Sequence, residues 1–204
     1  MEYSSTRRKN EINKTMIGYL FLCSAVGMTA QSLVYRNSEF KILLHVPKGA
    51  FLCPRAGNGI EHGASLLLSS QDPHVCRQSS GKRWMEIFGF FNATDDGATL
   101  HTFLESWCEN STEAIIQHRP VCTMPPPDLK LIGLPSEAAK INNADGTVEI
   151  LVVTQARELD HNFAPPAPSL NYVMSLQTDP SHLDTDLVIF REMLMHLKLG
   201  SGVR

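Results

Sequence analysis

From Leu33 onward the apolar positions fall in short alternating runs separated by turn residues. The runs at 33–36 and 39–46, divided by Asn37-Ser38 and closed by Pro47-Lys48-Gly49, predict a hairpin entering a sheet, with Phe51-Leu52-Cys53 as a further strand. A Gly-rich loop over 54–63 leads to a buried strand at 64–68, and a polar loop with Cys76 leads to the aromatic strand 83–91, which ends in a turn at 92–97. There the period changes. Leu100, Phe103, Leu104 and Trp107 fall at i, i+3, i+4 and i+7, one face of a helix that the pattern ends at Cys108.

After a loop with Pro120, Cys122 and Pro125-Pro126-Pro127, the apolar segment 128–141 leads through Asn142-Asn143-Ala144-Asp145-Gly146 into 147–156. Asp-Gly between two apolar runs predicts a hairpin. The proline-rich loop 164–168 precedes a strand at 169–178. Asp184 or Thr185 is positioned to cap a last helix with an apolar stripe of Leu187, Phe190, Leu194 and Leu197, Lys198 in its final turn and Gly200 just beyond. Split at the proline runs, each half would hold too little apolar material for a core, so 31–204 is expected to be a single α+β domain.

Residues 1–30 are a different material. Arg7, Arg8, Lys9 and Lys14 precede an uncharged stretch from Thr15 to Ala30, the layout of a secretory signal peptide; Ala25 and Gly27, or Ala30, suit the cleavage site. The apolar stretch is shorter than the ~18 residues of a spanning helix, so membrane contact is expected only through the uncleaved signal. Composition excludes other classes. Of 204 residues 43% are apolar and 19% charged, which is globular and soluble in character, and 18 basic against 21 acidic residues lack the dense cationic surface that nucleic acid needs. Without residues 1–30 the chain keeps 14 basic and 19 acidic groups, a net charge of −5.

An even set of cysteines behind an export signal, Cys53, Cys76, Cys108 and Cys122, predicts disulfides. The sequential pairing Cys53–Cys76 and Cys108–Cys122 is favoured among three connectivities because each closes a short excursion between regular elements. A metal site using His74 and Cys76 lacks a C-x-x-C knuckle, and the eight histidines form no H-E-x-x-H pattern; no metal or cofactor is expected. No G-x-S-x-G or S-x-x-K motif is present. Asp95-Asp96-Gly97 and Asp184/Asp186 do not extend into a calcium loop and fit turn and cap roles. The loop 53–63 combines Arg55, Asn58, Glu61 and His62 with three glycines, and these four residues are the candidate partner-binding set, because function concentrates on loops fixed by a scaffold.

The succession Leu131-Ile132-Gly133-Leu134-Pro135-Ser136-Glu137-Ala138, a hairpin, the strand from Asn171 to Leu176, and a helix with Asp186-Leu187, Phe190 to Leu194 and Leu197-Lys198-Leu199 resembles the PsbP-like superfamily. Tyr35, Phe40 and Val46-Pro47-Lys48-Gly49 are similar to its opening hairpin. That superfamily includes a photosystem II extrinsic subunit, a Ran-binding import factor and bacterial periplasmic relatives. The resemblance implies an antiparallel sheet flanked by helices and a binding role, and it carries over no active-site residue. The expectation from sequence is a periplasmic or secreted, non-catalytic module that binds another protein, concretely an immunity protein occluding a secreted toxin. The rival expectations are a small periplasmic hydrolase using one of the histidines with an acidic partner, which loss of turnover in alanine variants of His62 or Glu61 would support, and an envelope or photosynthetic assembly factor.

Overall fold

The computed structural model describes residues 33–53, 62–68, 83–92, 99–118, 121–131, 133–157 and 169–200. Strands β1 (Val34–Asn37), β2 (Ile42–His45) and β9 (Lys198–Leu199) make a small antiparallel sheet in the order β1-β2-β9. Strands β3 (Phe51–Cys53), β4 (Gly63–Leu67), β5 (Trp84–Asn92), β6 (Ser136–Asn142), β7 (Val148–Arg157) and β8 (Ser169–Thr178) make a large one, antiparallel throughout, in the order β3-β4-β5-β8-β7-β6. Among the described residues three α-helices complete the α+β architecture: α1 (Leu100–Asn110), α2 (Thr112–Gln117) and α3 (Leu183–His196).

The inner strands are apolar along one face and, where α1 covers it, over part of the other. Ile150 and Val152 of β7, Tyr172, Met174 and Leu176 of β8, and Met85 and Ile87 of β5 share one side and pack with Leu187, Phe190, Met193 and Leu194 of α3 and with Phe40, Ile42 and Leu44 from the small sheet. The alternate positions Leu151, Val153 and Val173, with Ala139 and Ile141 of β6, meet Leu104 and Cys108 of α1. Each fully buried side chain of this size stabilises the fold by roughly 1.5–3 kcal/mol.

Tyr172 ties the layers together at the centre. Its fully buried hydroxyl donates to the Phe40 carbonyl at 2.9 Å and accepts from the Gly200 amide at 3.2 Å. Replacing it with phenylalanine removes both hydrogen bonds from a buried position while the Gly200 amide keeps its 3.0 Å bond to the Lys41 carbonyl, so Tyr172→Phe is expected to lower stability by about 1–2 kcal/mol. A urea-unfolding midpoint checks this.

Four elements depart from the sequence expectation. The helix expected to stop at Cys108 runs to Asn110. There Ser111 breaks the chain direction, and its hydroxyl accepts from the Ala114 amide at 3.1 Å, so that α2 begins where a loop was expected. The apolar segment before β6 is not a strand until Ser136, although Leu129 and Leu131 are buried in the core. Neither Asp184 nor Thr185 caps α3, which continues from a 3₁₀ turn at Pro180–His182. Finally, Lys198 lies in β9 and not in the last helical turn, because Leu197 turns extended and the chain pairs with β2; the opening hairpin thus belongs to a sheet of its own. The Asp-Gly hairpin forms as expected, with Gly146 at φ +84° and the Asp145 carboxylate accepting from the Thr147 amide at 2.9 Å.

Asp186 is not a cap or turn residue. It is fully buried in the first turn of α3, and its carboxylate accepts from Arg83 Nε at 2.8 Å, Arg83 Nη2 at 2.6 Å and Thr178 Oγ1 at 2.5 Å. The start of β5, the end of β8 and α3 are locked at this point.

Candidate functional site

Gly63, Asn92, Arg157 and Ser169 stand at one end of the large sheet, where β4 and β8 begin and β5 and β7 end. Of the four partner-binding residues expected from sequence, Arg55, Asn58 and Glu61 lie outside the described residues. His62 stands at the root of their loop. Its carbonyl accepts from the Gly89 amide at 2.7 Å, and its ring Nδ1 lies 3.3 Å from the Gly89 carbonyl oxygen. The half-buried ring lies 4.7 Å from the Phe40 ring and 6.3 Å from that of Phe90. His62 is therefore fixed by packing as well as presented at the rim.

Phe90 continues the contact inward, 6.4 Å from Phe88 and 5.9 Å from Trp107 of α1. These tilted rings lie within the range in which aromatic pairs contribute about 0.5–1.5 kcal/mol beyond their burial. The sequence grouped these aromatics only as a strand; their shared parity along β5 is the signal that puts them on one face. In the same cross-strand row as Phe90, Gln155 Nε2 donates to Asn171 Oδ1 at 3.0 Å.

Further along that face two carboxylates stand on β5 and β7. Glu86 accepts from Ser65 Oγ at 2.6 Å, and Glu149, pushed up to about 6 by burial and by the Glu86 charge, was not singled out by sequence. A carboxyl raised in the folded chain binds its proton more tightly there than when unfolded. Its contribution is therefore present below about pH 4.5 and is lost as pH rises through 6. Glu149→Gln is expected to be more stable than the parent at pH 7 by up to about 2 kcal/mol and equal to it near pH 4.5. Unfolding midpoints at the two pH values check it.

On the α1 side, His101 links that helix to β6, with Nδ1 3.0 Å from Glu137 and Nε2 3.3 Å from Glu105. The hydrogen bond to Glu137 and the charge of Glu105 raise its pKa. Cys108 and Cys122 are disulfide-bonded, as expected, and join the end of α1 to the chain that approaches β6. Cys53 is disulfide-bonded as well; the expected Cys53–Cys76 pair falls on Cys76, outside the described residues. Among the described residues no group of three His, Cys, Asp or Glu side chains is placed to hold a metal ion, and no helix is long and apolar enough to cross a membrane.

No protein-family model matches this sequence, and no curated protein matches it. The fold does have solved counterparts. The chain is similar to the cyanobacterial PsbP protein (CyanoP) from Synechocystis sp. PCC 6803, with 12% identity over 89% of this chain and 99% of that one and a TM-score of 0.51. It is also similar to LpqN of Mycobacterium tuberculosis, a protein involved in cell envelope biogenesis, with 10% identity over 83% and 91% of the two chains and a TM-score of 0.46. This chain has the PsbP-like fold, an antiparallel sheet flanked by helices. At these identities the fold is what is shared.

Proposed function

We propose that the protein is an exported, non-catalytic module that binds another protein. The observation that carries this reading is covalent bracing at both ends of the aromatic row. Cys53 is disulfide-bonded at the root of the loop that bears Arg55, Asn58, Glu61 and His62, and Cys108–Cys122 braces α1 behind the aromatic row. Disulfides belong to oxidising compartments, in keeping with the signal-like residues 1–30, and a braced surface loses less conformational freedom when it binds.

The specific partner we propose is a secreted toxin, with this protein acting as its immunity protein by covering the toxin's active site. The net charge of −5 without residues 1–30 would then steer a basic partner and make association salt-sensitive. The test is affinity capture by the oxidised protein from its own periplasm and secretome, with the bound proteins identified by mass spectrometry. A stoichiometric partner released by salt is expected, and an enzyme that loses activity on remixing would establish the immunity reading. An empty capture would overturn the binding reading.

A further inference from the structure

The large sheet ends at β6, and among the described residues only part of its outer edge is covered. Thr123 bridges Lys140 in both directions, its amide donating to the Lys140 carbonyl at 2.7 Å and its carbonyl accepting from the Lys140 amide at 3.1 Å. The backbone groups of Lys140 therefore point away from β7. By the two-residue period of a strand, those of Ala138 point the same way. The approaching chain would have reached Ala138 two residues later, but there it enters Pro125-Pro126-Pro127. Prolines have no N–H to give a ladder, and the strap swings off the edge. Among the described residues nothing pairs with the Ala138 amide or carbonyl.

The departure opens a cavity of about 380 Å³ between strap and edge, walled by Met124, the three prolines, Leu129 and Ala138. Met124 is 88% exposed. Three cations stand in and around the cavity. Lys130 lines the cavity and is exposed, Lys140 stands on the same face of β6, and Arg191 of α3 reaches the strap through a 3.1 Å hydrogen bond from Nη2 to the Pro127 carbonyl. Among the described residues none of the three is ion-paired. Asp128 is the one acid in the wall. On a chain of net charge −3, this is a local reversal of sign.

We propose that this slot takes an extended segment of a partner protein, apolar at its centre and flanked by acidic residues. The segment adds to β6 where the prolines left off. One of its amides donates to the Ala138 carbonyl, one of its carbonyls accepts from the Ala138 amide, an apolar side chain fills the cavity, and its carboxylates face Lys130, Lys140 and Arg191. This inference rests on the protein-binding reading above and locates one contact; it does not depend on the partner being a toxin.

The test uses the oxidised full chain and a synthetic peptide of alternating valine and glutamate around a central leucine, followed through the Ala138 amide resonance. A saturable shift of that resonance is expected. A lysine-for-glutamate peptide, a peptide N-methylated at its central residue, and the protein variants Ala138→Pro and Lys130→Glu are each expected to weaken binding by about tenfold or more. Lys130→Glu changes only an exposed side chain and keeps the test valid should Ala138→Pro fail to fold. An unshifted Ala138 amide, or equal binding of the acidic and basic peptides, would overturn the proposal. A natural partner that binds while the Ala138 resonance stays unmoved would also overturn it, leaving the protein-binding reading intact.

Discussion

Replacing Asp186 with alanine is expected to destabilise the protein by about 3–5 kcal/mol, the range for removing one member of a buried ion pair. The Asp186 side chain is wholly buried and that of Arg83 is 21% exposed, so the substitution leaves a partly buried guanidinium without its carboxylate and the Thr178 hydroxyl with only its 3.4 Å bond to the Asp179 carbonyl. The pH dependence separates this pair from a generic packing defect. Burial works against the charged carboxylate, but the hydrogen bonds from Arg83 and Thr178 outweigh it and hold its pKa below the usual carboxylate value. A lowered carboxylate contributes stability that is present above its ordinary pKa and is lost as pH falls through the folded value. The deficit of Asp186→Ala relative to the parent should therefore be full at pH 6 and shrink toward pH 3, as measured by urea unfolding. A deficit independent of pH would show that the ion pair is not its source.

Gly63→Ala is the second large effect, and its cause is a backbone collision. A Cβ at Gly63 would stand 1.7 Å from the Ile87 carbonyl oxygen and 3.0 Å from Phe88 Cα, atoms of the neighbouring strand that cannot rotate aside. Strands β4 and β5 must separate locally, and the Gly63 carbonyl that accepts from the Tyr35 hydroxyl at 2.8 Å must move with them. Overpacking of this kind is expected to cost about 3 kcal/mol, toward the upper end of such insertions. Because His62 precedes Gly63 and is hydrogen-bonded to Gly89, the variant should also weaken capture of a partner that uses this rim. An unchanged thermal midpoint would contradict the close approach of the two strands.

Much of the fold was legible where local pattern and tertiary demand agree. The Asp-Gly hairpin, the aromatic strand β5, the strand over 169–178 and the amphipathic face of α1 are all set by nearest-neighbour periodicity, and all form. What escaped were features fixed by distant partners. Asp186 looks like any acid in a first helical turn until Arg83, 103 residues away, is placed beside it. Lys198 looks like a helical C-terminal cation until β2 supplies a pairing edge. The pressure on Glu149 is visible only once β5 and β7 are known to flank β8. Of the candidate site, His62 was legible as a residue, but its seat between Phe40 and Phe90 was not, because those rings come from different parts of the chain. The groove beside β6 had a local sign, the triple proline, whose meaning depended on Thr123 being paired to a sheet edge just before it.

The most direct test of the account is the intact mass of the protein recovered from its own cells, alkylated before any reductant is added. Export to an oxidising compartment predicts a chain that begins near residue 28 or 31 and takes up no alkylating reagent at Cys53, Cys108 or Cys122. A full-length chain with these cysteines alkylated would place the protein in a reducing compartment and contradict the exported, disulfide-braced binding module at its root.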